Sequence, residues 1–418
     1  MTEATADPRD RHTQRNIFAF GSVEFFWGLG LPVIIDSTFL QLFLRNLGAD
    51  SFIIGFIPAM FFLGPALFGP VSGYMTAHLE QKRIPVLLFH LFPSTVWLIF
   101  GFYYLSAGDT AGTITIFLGA YTLFTAGIGL MLPIWQNYLG RVFSPMKSVS
   151  AIAAVMIAQT AAKIVGSFLI LKTVERYSFA PRAAAGIFLG IGGVFTLGSF
   201  FFLFTREVVT GTAAVLQKTG FRFHLRRSFG EAFKNRNFLL YLGGNLEFFS
   251  VVAVLSFYAN YAVEYRGIKA AVAAGLFVMV NYAMQLCMNI LFGWKGYLSL
   301  KRKCLISHLF SFCGIAVLIT RPVLPGFLVA AALLGSARAI RNLVYVPIIR
   351  KVSGKDDSTD YFAAAPIITL PVSASLSLAG GKLLDLLSPL GELSYTIFFS
   401  FALLMVLISA FLIRRGEF

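Results

Sequence analysis

Charge is scarce in this chain: 13% of its 418 residues are Asp, Glu, Lys or Arg, while 57% are hydrophobic. Soluble domains carry about a quarter of their residues charged, so water is not the solvent this composition fits. Acid is scarcer than base, with 19 Asp and Glu against 34 Lys and Arg. The resulting net charge of +15 would suit nucleic acid if the bases formed one face interleaved with aromatics. They fall instead in short loops between apolar runs, which argues against a nucleic-acid partner and for membrane topology. The three cysteines, Cys287, Cys304 and Cys313, lack metal-ligand spacing and read as packing residues. Neither a Gly-rich loop ending in Gly-Lys-Ser/Thr nor a His pair at metal spacing is present, so no enzymatic activity, metal or cofactor is expected.

What the chain has in abundance is long apolar runs. About 20 mostly apolar residues cross a bilayer as a helix, and this sequence has room for roughly a dozen such runs. Spans are predicted near residues 17–44, 51–75, 84–106, 112–138, 148–171, 184–205, 238–262, 268–294, 304–320, 323–347, 361–383 and 391–413. The first sixteen residues are polar, with Arg9, Arg11 and Arg15, and the run after them is too long for a signal-peptide core. With the N-terminus in the cytoplasm, most Lys and Arg fall on the cytoplasmic side, as the positive-inside rule requires. The expected organisation is a cytoplasmic tail (1–16), a six-helix bundle (17–205), a cytoplasmic loop (206–237), a second six-helix bundle (238–413) and a cytoplasmic tail (414–418). Phe and Leu among the bases of the central loop predict an amphipathic helix on the inner leaflet.

The two sides of that loop repeat. Gly21-Ser22-Val23-Glu24-Phe25-Phe26 in the first span matches Gly244-Asn245-Leu246-Glu247-Phe248-Phe249 in the seventh, an offset of 223 residues. The same offset carries Gly73-Tyr74 onto Gly296-Tyr297, each pair shortly before a basic loop. A weaker echo joins Pro133 with Arg141-Val142-Phe143-Ser144 to Pro347 with Lys351-Val352-Ser353.

Twelve spans in a six-plus-six arrangement, a long basic central loop, and a Gly followed by bases after spans 2 and 8 resemble the major facilitator superfamily. Gly73 and the Lys82-Arg83 pair match that family's loop between helices 2 and 3; the Asp it usually carries is not clearly matched, so no gating contact is carried over. The fifth span, Ser148–Leu171, lacks the Gly-Pro-rich pattern of drug-efflux members. The resemblance implies an all-α integral membrane protein in two pseudo-symmetric six-helix halves. It also implies a substrate site near the membrane midplane, exposed alternately to each side.

An ionisable group in the hydrocarbon core costs roughly 2.5–3.5 kcal/mol on insertion scales, so the polar residues inside the spans are the place to look for function. Glu24 and its repeat mate Glu247 are candidates for proton coupling, with Asp36 further along the first span; structural pairing with Arg or Lys is the competing reading. Arg338 and Arg341 are three apart, with Asn342 four from Arg338, so the three are placed on one helix face, as an anion clamp or as partners of the glutamates. Gln159 and Lys163 share a face of the fifth span, and Lys163 is too deep to snorkel easily. Asn281, Gln285 and Asn289 form a polar ridge along the eighth span, for solute or for inter-helix bonds. Gln136 ends the fourth span beside Asn137, and Trp27 lies three residues after Glu24; both are cavity candidates, packing being the other use of the ring. Glycines and prolines such as Gly28, Gly30, Pro32 and Gly64 allow close approach and bending.

The expected function is secondary transport of a small organic solute across the cytoplasmic (inner) membrane by a monomer whose partners are its substrate, protons and membrane lipid. Three cations set against three acids lean toward an anionic or zwitterionic solute. Two alternatives are open: efflux of amphipathic compounds through a Phe-lined cavity, and, in a different class, a non-pumping transporter-like sensor or lipid scramblase.

Overall fold

The structure is a computed structural model that describes residues 7–35, 38–76, 79, 81–208, 220–221, 230, 232–294, 298–354 and 359–417. Asp36 and most of the central loop, including its predicted amphipathic helix, lie outside the described residues. Among those described, twelve helices are long and apolar enough to cross a membrane, the number read from the sequence.

The first six are α1 (Thr13–Ile34), α2 (Ser51–Thr76), α3 (Arg83–Ala107), α4 (Thr113–Val142), α5 (Pro145–Tyr177) and α6 (Pro181–Phe200). The seventh span is broken into α7a (Arg236–Gly244) and α7b (Leu246–Arg266). The rest are α8 (Phe277–Met288), α9 (Leu300–Ile319), α10 (Leu324–Ser353), α11 (Thr359–Leu386) and α12 (Glu392–Arg415).

Three spans depart from the continuous helices expected. The first ends at Ile34, two residues after Pro32, whose ring removes a helix N–H, and a separate short helix, Thr38–Asn46, follows. The seventh breaks at Asn245, whose N–H folds back onto the Leu242 carbonyl at 3.0 Å before α7b begins. The eighth is flanked by two π turns, Val272–Leu276 and Asn289–Trp294.

Two compact units divide the chain, and their boundaries do not follow its midpoint. Unit 1 comprises Met1–Leu31, Gly64–Gly166 and Pro181–Phe221; unit 2 comprises Pro32–Leu63, Ser167–Ala180 and Arg222–Phe418. The boundaries therefore cut α1, α2 and α5 along their lengths.

Lipid tails are as apolar as leucine, so helices in a bilayer associate through close packing and inter-helix bonds. In unit 1 the α1–α5 crossing depends on glycine. A Cβ on Gly28 would sit 2.6 Å from the Gln159 carbonyl oxygen, and one on Gly166 would sit 2.2 Å from that of Leu29. Backbone meets backbone there, and only hydrogen fits. Aromatic rings fill the space around α3 and α6, where Trp97 stacks on Phe188 with centroids 5.4 Å apart.

In unit 2 the N-terminus of α2 is capped from a distant element: the Asp385 carboxylate on α11 accepts the N–H of Ser51 at 3.0 Å and of Phe52 at 2.9 Å. Beside it, Arg45 Nε donates to Glu264 at 2.7 Å. Burial works against the Arg45 charge, but the Glu264 carboxylate outweighs it and holds the guanidinium above its usual value.

Candidate functional site

Each unit contains one buried carboxylate from the sequence repeat. In unit 1 this is Glu24, on α1 and 5% exposed. The close α1–α5 crossing brings it to Gln159, whose Nε2 donates to Glu24 Oε2. Lys163, one turn further along α5, is the cation whose field reaches the carboxylate. Three of the candidates thus form one constellation: a buried carboxylate, an amide that holds it and an ammonium near it.

Trp27 does not join them. Its ring stacks on Phe195 with centroids 4.1 Å apart, and its Nε1 donates to Ser199 Oγ at 3.3 Å. This is the packing use of the residue, since both ring and N–H are satisfied inside unit 1. Gln136 lies on α4, but its side chain is outside the described residues.

In unit 2 the counterpart is Glu247, 2% exposed and in the first turn of α7b. Its Oε1 accepts the hydroxyl of Ser311, and Ser307 Oγ lies 3.0 Å from it. Arg341 reaches the same place from α10. Its guanidinium lies 3.9 Å from the centroid of Phe248 and 4.9 Å from that of Tyr345, and it donates to Asn245 Oδ1 at 3.3 and 3.4 Å. The break in the seventh span therefore supplies an acceptor for an arginine. Among the described residues no ion pair joins Arg341 to Glu247. Both line a cavity of about 10 Å³ together with Tyr241, Asn245, Ser307 and His308.

The remaining candidates take other places. Asn281 Nδ2 donates to the Ala331 carbonyl on α10 at 3.1 Å, and Gln285 Nε2 donates to Asn281 Oδ1 at 2.7 Å. That part of the ridge ties α8 to α10, the inter-helix use of the two readings. Arg338 is half-buried one turn before Arg341, and Asn342 is exposed.

Ser307, His308, Ser311 and Asn245 are absent from the sequence-level candidates. A signal for the histidine was nevertheless there: His-Leu-Phe occurs at 90–92 in α3 and again at 308–310 in α9, each after a basic loop. Both rings are anchored alike, Nδ1 lying 2.7 Å from the carbonyl four residues earlier, Val86 in one case and Cys304 in the other. Their surroundings differ. His90 sits among aromatics, 5.1 Å from Trp27 and 4.6 Å from Phe202 between centroids. His308 is 5% exposed and presents Nε2, unpartnered, in the wall of the Glu247 cavity.

Comparison with known proteins places this architecture. The sequence profile of the Major Facilitator Superfamily matches residues 18–340. A search of curated protein sequences finds no match. Among solved structures, a point mutant of the nucleoside transporter NupG superposes with a TM-score of 0.73 at 12% identity, over 96% of this chain and 100% of that one. A POT family transporter in complex with 5-aminolevulinic acid gives 0.65 at 13% identity, with 95% of each chain covered. Tetrameric PepTSo2 gives 0.67 at 14% identity, over 96% of this chain and 97% of that one. At such identities the likeness is one of fold.

Proposed function

This chain belongs to the major facilitator superfamily, and we propose that it is a proton-coupled secondary transporter moving a small organic solute across the cytoplasmic membrane by alternating access. The observation that carries this reading is the buried Glu24, held by a neutral amide and near the Lys163 ammonium on the neighbouring α5. A carboxylate so placed changes its proton affinity when water or a solute reaches it or when Lys163 moves, which is what coupling requires. Protonation neutralises Glu24 and weakens its hold on Lys163, so that the ammonium attracts an anionic group; deprotonation restores the attraction. A lean toward an anionic or zwitterionic solute follows from Lys163 and Arg341 and agrees with a fold neighbour having been captured with 5-aminolevulinic acid. Both termini are assigned to the cytoplasm on the distribution of bases, and a monomer suffices because each unit carries its own acidic site.

The test is proton movement in liposomes containing the purified protein and a pH-sensitive dye, with pooled organic acids, amino acids, nucleosides, sugars and amphipathic drugs as solutes. A solute-dependent pH change that Glu24→Gln abolishes is expected. Solute flux with no pH change would reduce Glu24 to a structural role. Absence of flux for every pool would favour a sensor or scramblase, and a response confined to the drugs would favour efflux.

A further inference from the structure

We propose that His308 and Glu247 form a second proton site within unit 2, in which one water bridges the imidazole Nε2 and the carboxylate. Three observations meet there. The Nδ1 of His308 faces a carbonyl oxygen, which only accepts, so the neutral ring carries its hydrogen on Nδ1 and leaves a lone pair on Nε2. That atom is buried and unpartnered, a costly arrangement in an apolar protein interior unless the site serves a ligand. The cavity it lines with Glu247 has a volume of about 10 Å³, close to what a single water needs, and its walls offer polar partners.

The groups facing the pair come from every neighbouring helix. The seventh span contributes Tyr241 and Asn245 besides Glu247, α9 contributes Cys304 and Ser307, α10 contributes Arg341, and α12 contributes the apolar Ile413. Lys303, next along α9, points its ammonium at the Phe292 carbonyl at 2.7 Å. Transfer within the pair balances simply. The O–H bond of a protonated Glu247 breaks, the bridging water takes that proton and gives its own to Nε2, and a carboxylate faces an imidazolium. The Ser307 and Ser311 hydroxyls and the Arg341 guanidinium then stabilise the carboxylate. Use of this site in coupling rests on the transport reading above; its existence as a proton site does not.

The experiment is nitrogen NMR of the full chain, labelled at its five histidines and held in lipid nanodiscs, with His308 assigned by difference against His308→Gln. Wild type should show the Nδ1–H tautomer for neutral His308. Glu247→Gln should move the Nε2 resonance of His308, which loses its bridged carboxylate, while that of His90 stays unmoved. An Nε2–H tautomer, or the same Nε2 resonance with and without the Glu247 carboxylate, would overturn the proposal. If Glu247→Gln fails to fold, Glu247→Asp, which draws the carboxylate back by one methylene, serves in its place. A proton site that behaves as expected beside a failed liposome assay would separate this proposal from the transport reading.

Discussion

The two halves of this chain carry the same short motifs and put them to different use. In unit 1 the repeated glutamate meets an amide and an ammonium on α5, and the repeated histidine is packed between rings. In unit 2 the glutamate meets hydroxyls on α9, and the histidine opens onto a small cavity that Glu247 and Arg341 also line. Aligning the two His-Leu-Phe segments shows the cause, because Ser307 and Ser311 occupy the places of Phe89 and Pro93. Two hydroxyls on one helix give Glu247 the donors that the equivalent places in α3 lack. What the repeat preserves is backbone placement; what it leaves free is the chemistry on the neighbouring helix.

The sharpest way to break the comparison is at the glycines beside the glutamates. Gly28→Val drives a side chain into the backbone of α5, whereas Gly244→Val meets only the far end of Ile413, whose Cδ1 would lie 2.2 Å from the new Cβ. Gly28→Val should cost about 3 kcal/mol or more and Gly244→Val about 1 kcal/mol, because a side chain can turn away and a carbonyl cannot. Gly21→Ala, with nothing within 4 Å of its Cβ, is the control. Thermal unfolding of the purified variants in detergent should give that order, and a Gly28→Val protein as stable as Gly21→Ala would refute the assigned crossing.

A smaller effect separates the histidines. His308→Phe puts an apolar ring into a cavity shared by a carboxylate and a guanidinium and should cost about 2 kcal/mol; His90→Phe joins an existing aromatic cluster and should cost under about 1 kcal/mol. Equal losses in the same assay would mean that the two environments are energetically alike. The smallest effect belongs to Ser311→Ala, which removes one donor from Glu247 and should cost about 1 kcal/mol or less, in the range of single inter-helix bonds in membranes. If Ser311→Ala proves more damaging than His308→Phe, the hydroxyls and not the histidine hold the cavity together.

Sequence alone revealed the fold because a bilayer accepts so few structures: contiguous apolar runs had to be helices, and a constant offset had to be a repeat. It also placed Glu24 with Gln159 and Lys163 among its candidates, since charge in such a run stands out against its neighbours. It missed Ser307 and Ser311, because hydroxyls in membrane helices commonly bond to their own backbone and carry no mark of a distant partner. The break at Asn245 was equally hidden. The matching Gly21-Ser22 lies within an unbroken helix, so the motif does not decide whether the backbone continues. Asn281 and Gln285 show the opposite limit: a polar ridge was visible, but only the neighbouring α10 carbonyl showed what it bonds.

The division into units bears on how such a chain deforms. Three of its boundaries fall inside helices, at Leu31 and Pro32 in α1, Leu63 and Gly64 in α2, and Gly166 and Ser167 in α5. These three cuts, unlike that at Ala180 and Pro181, pass through a rod and not a loop, beside a proline or a glycine where the helix bends most easily. A bend at any of these points would flex its rod like a leaf spring. A spring of this kind stores work when bent and returns it when released, so the backbone itself is an elastic element of these three helices.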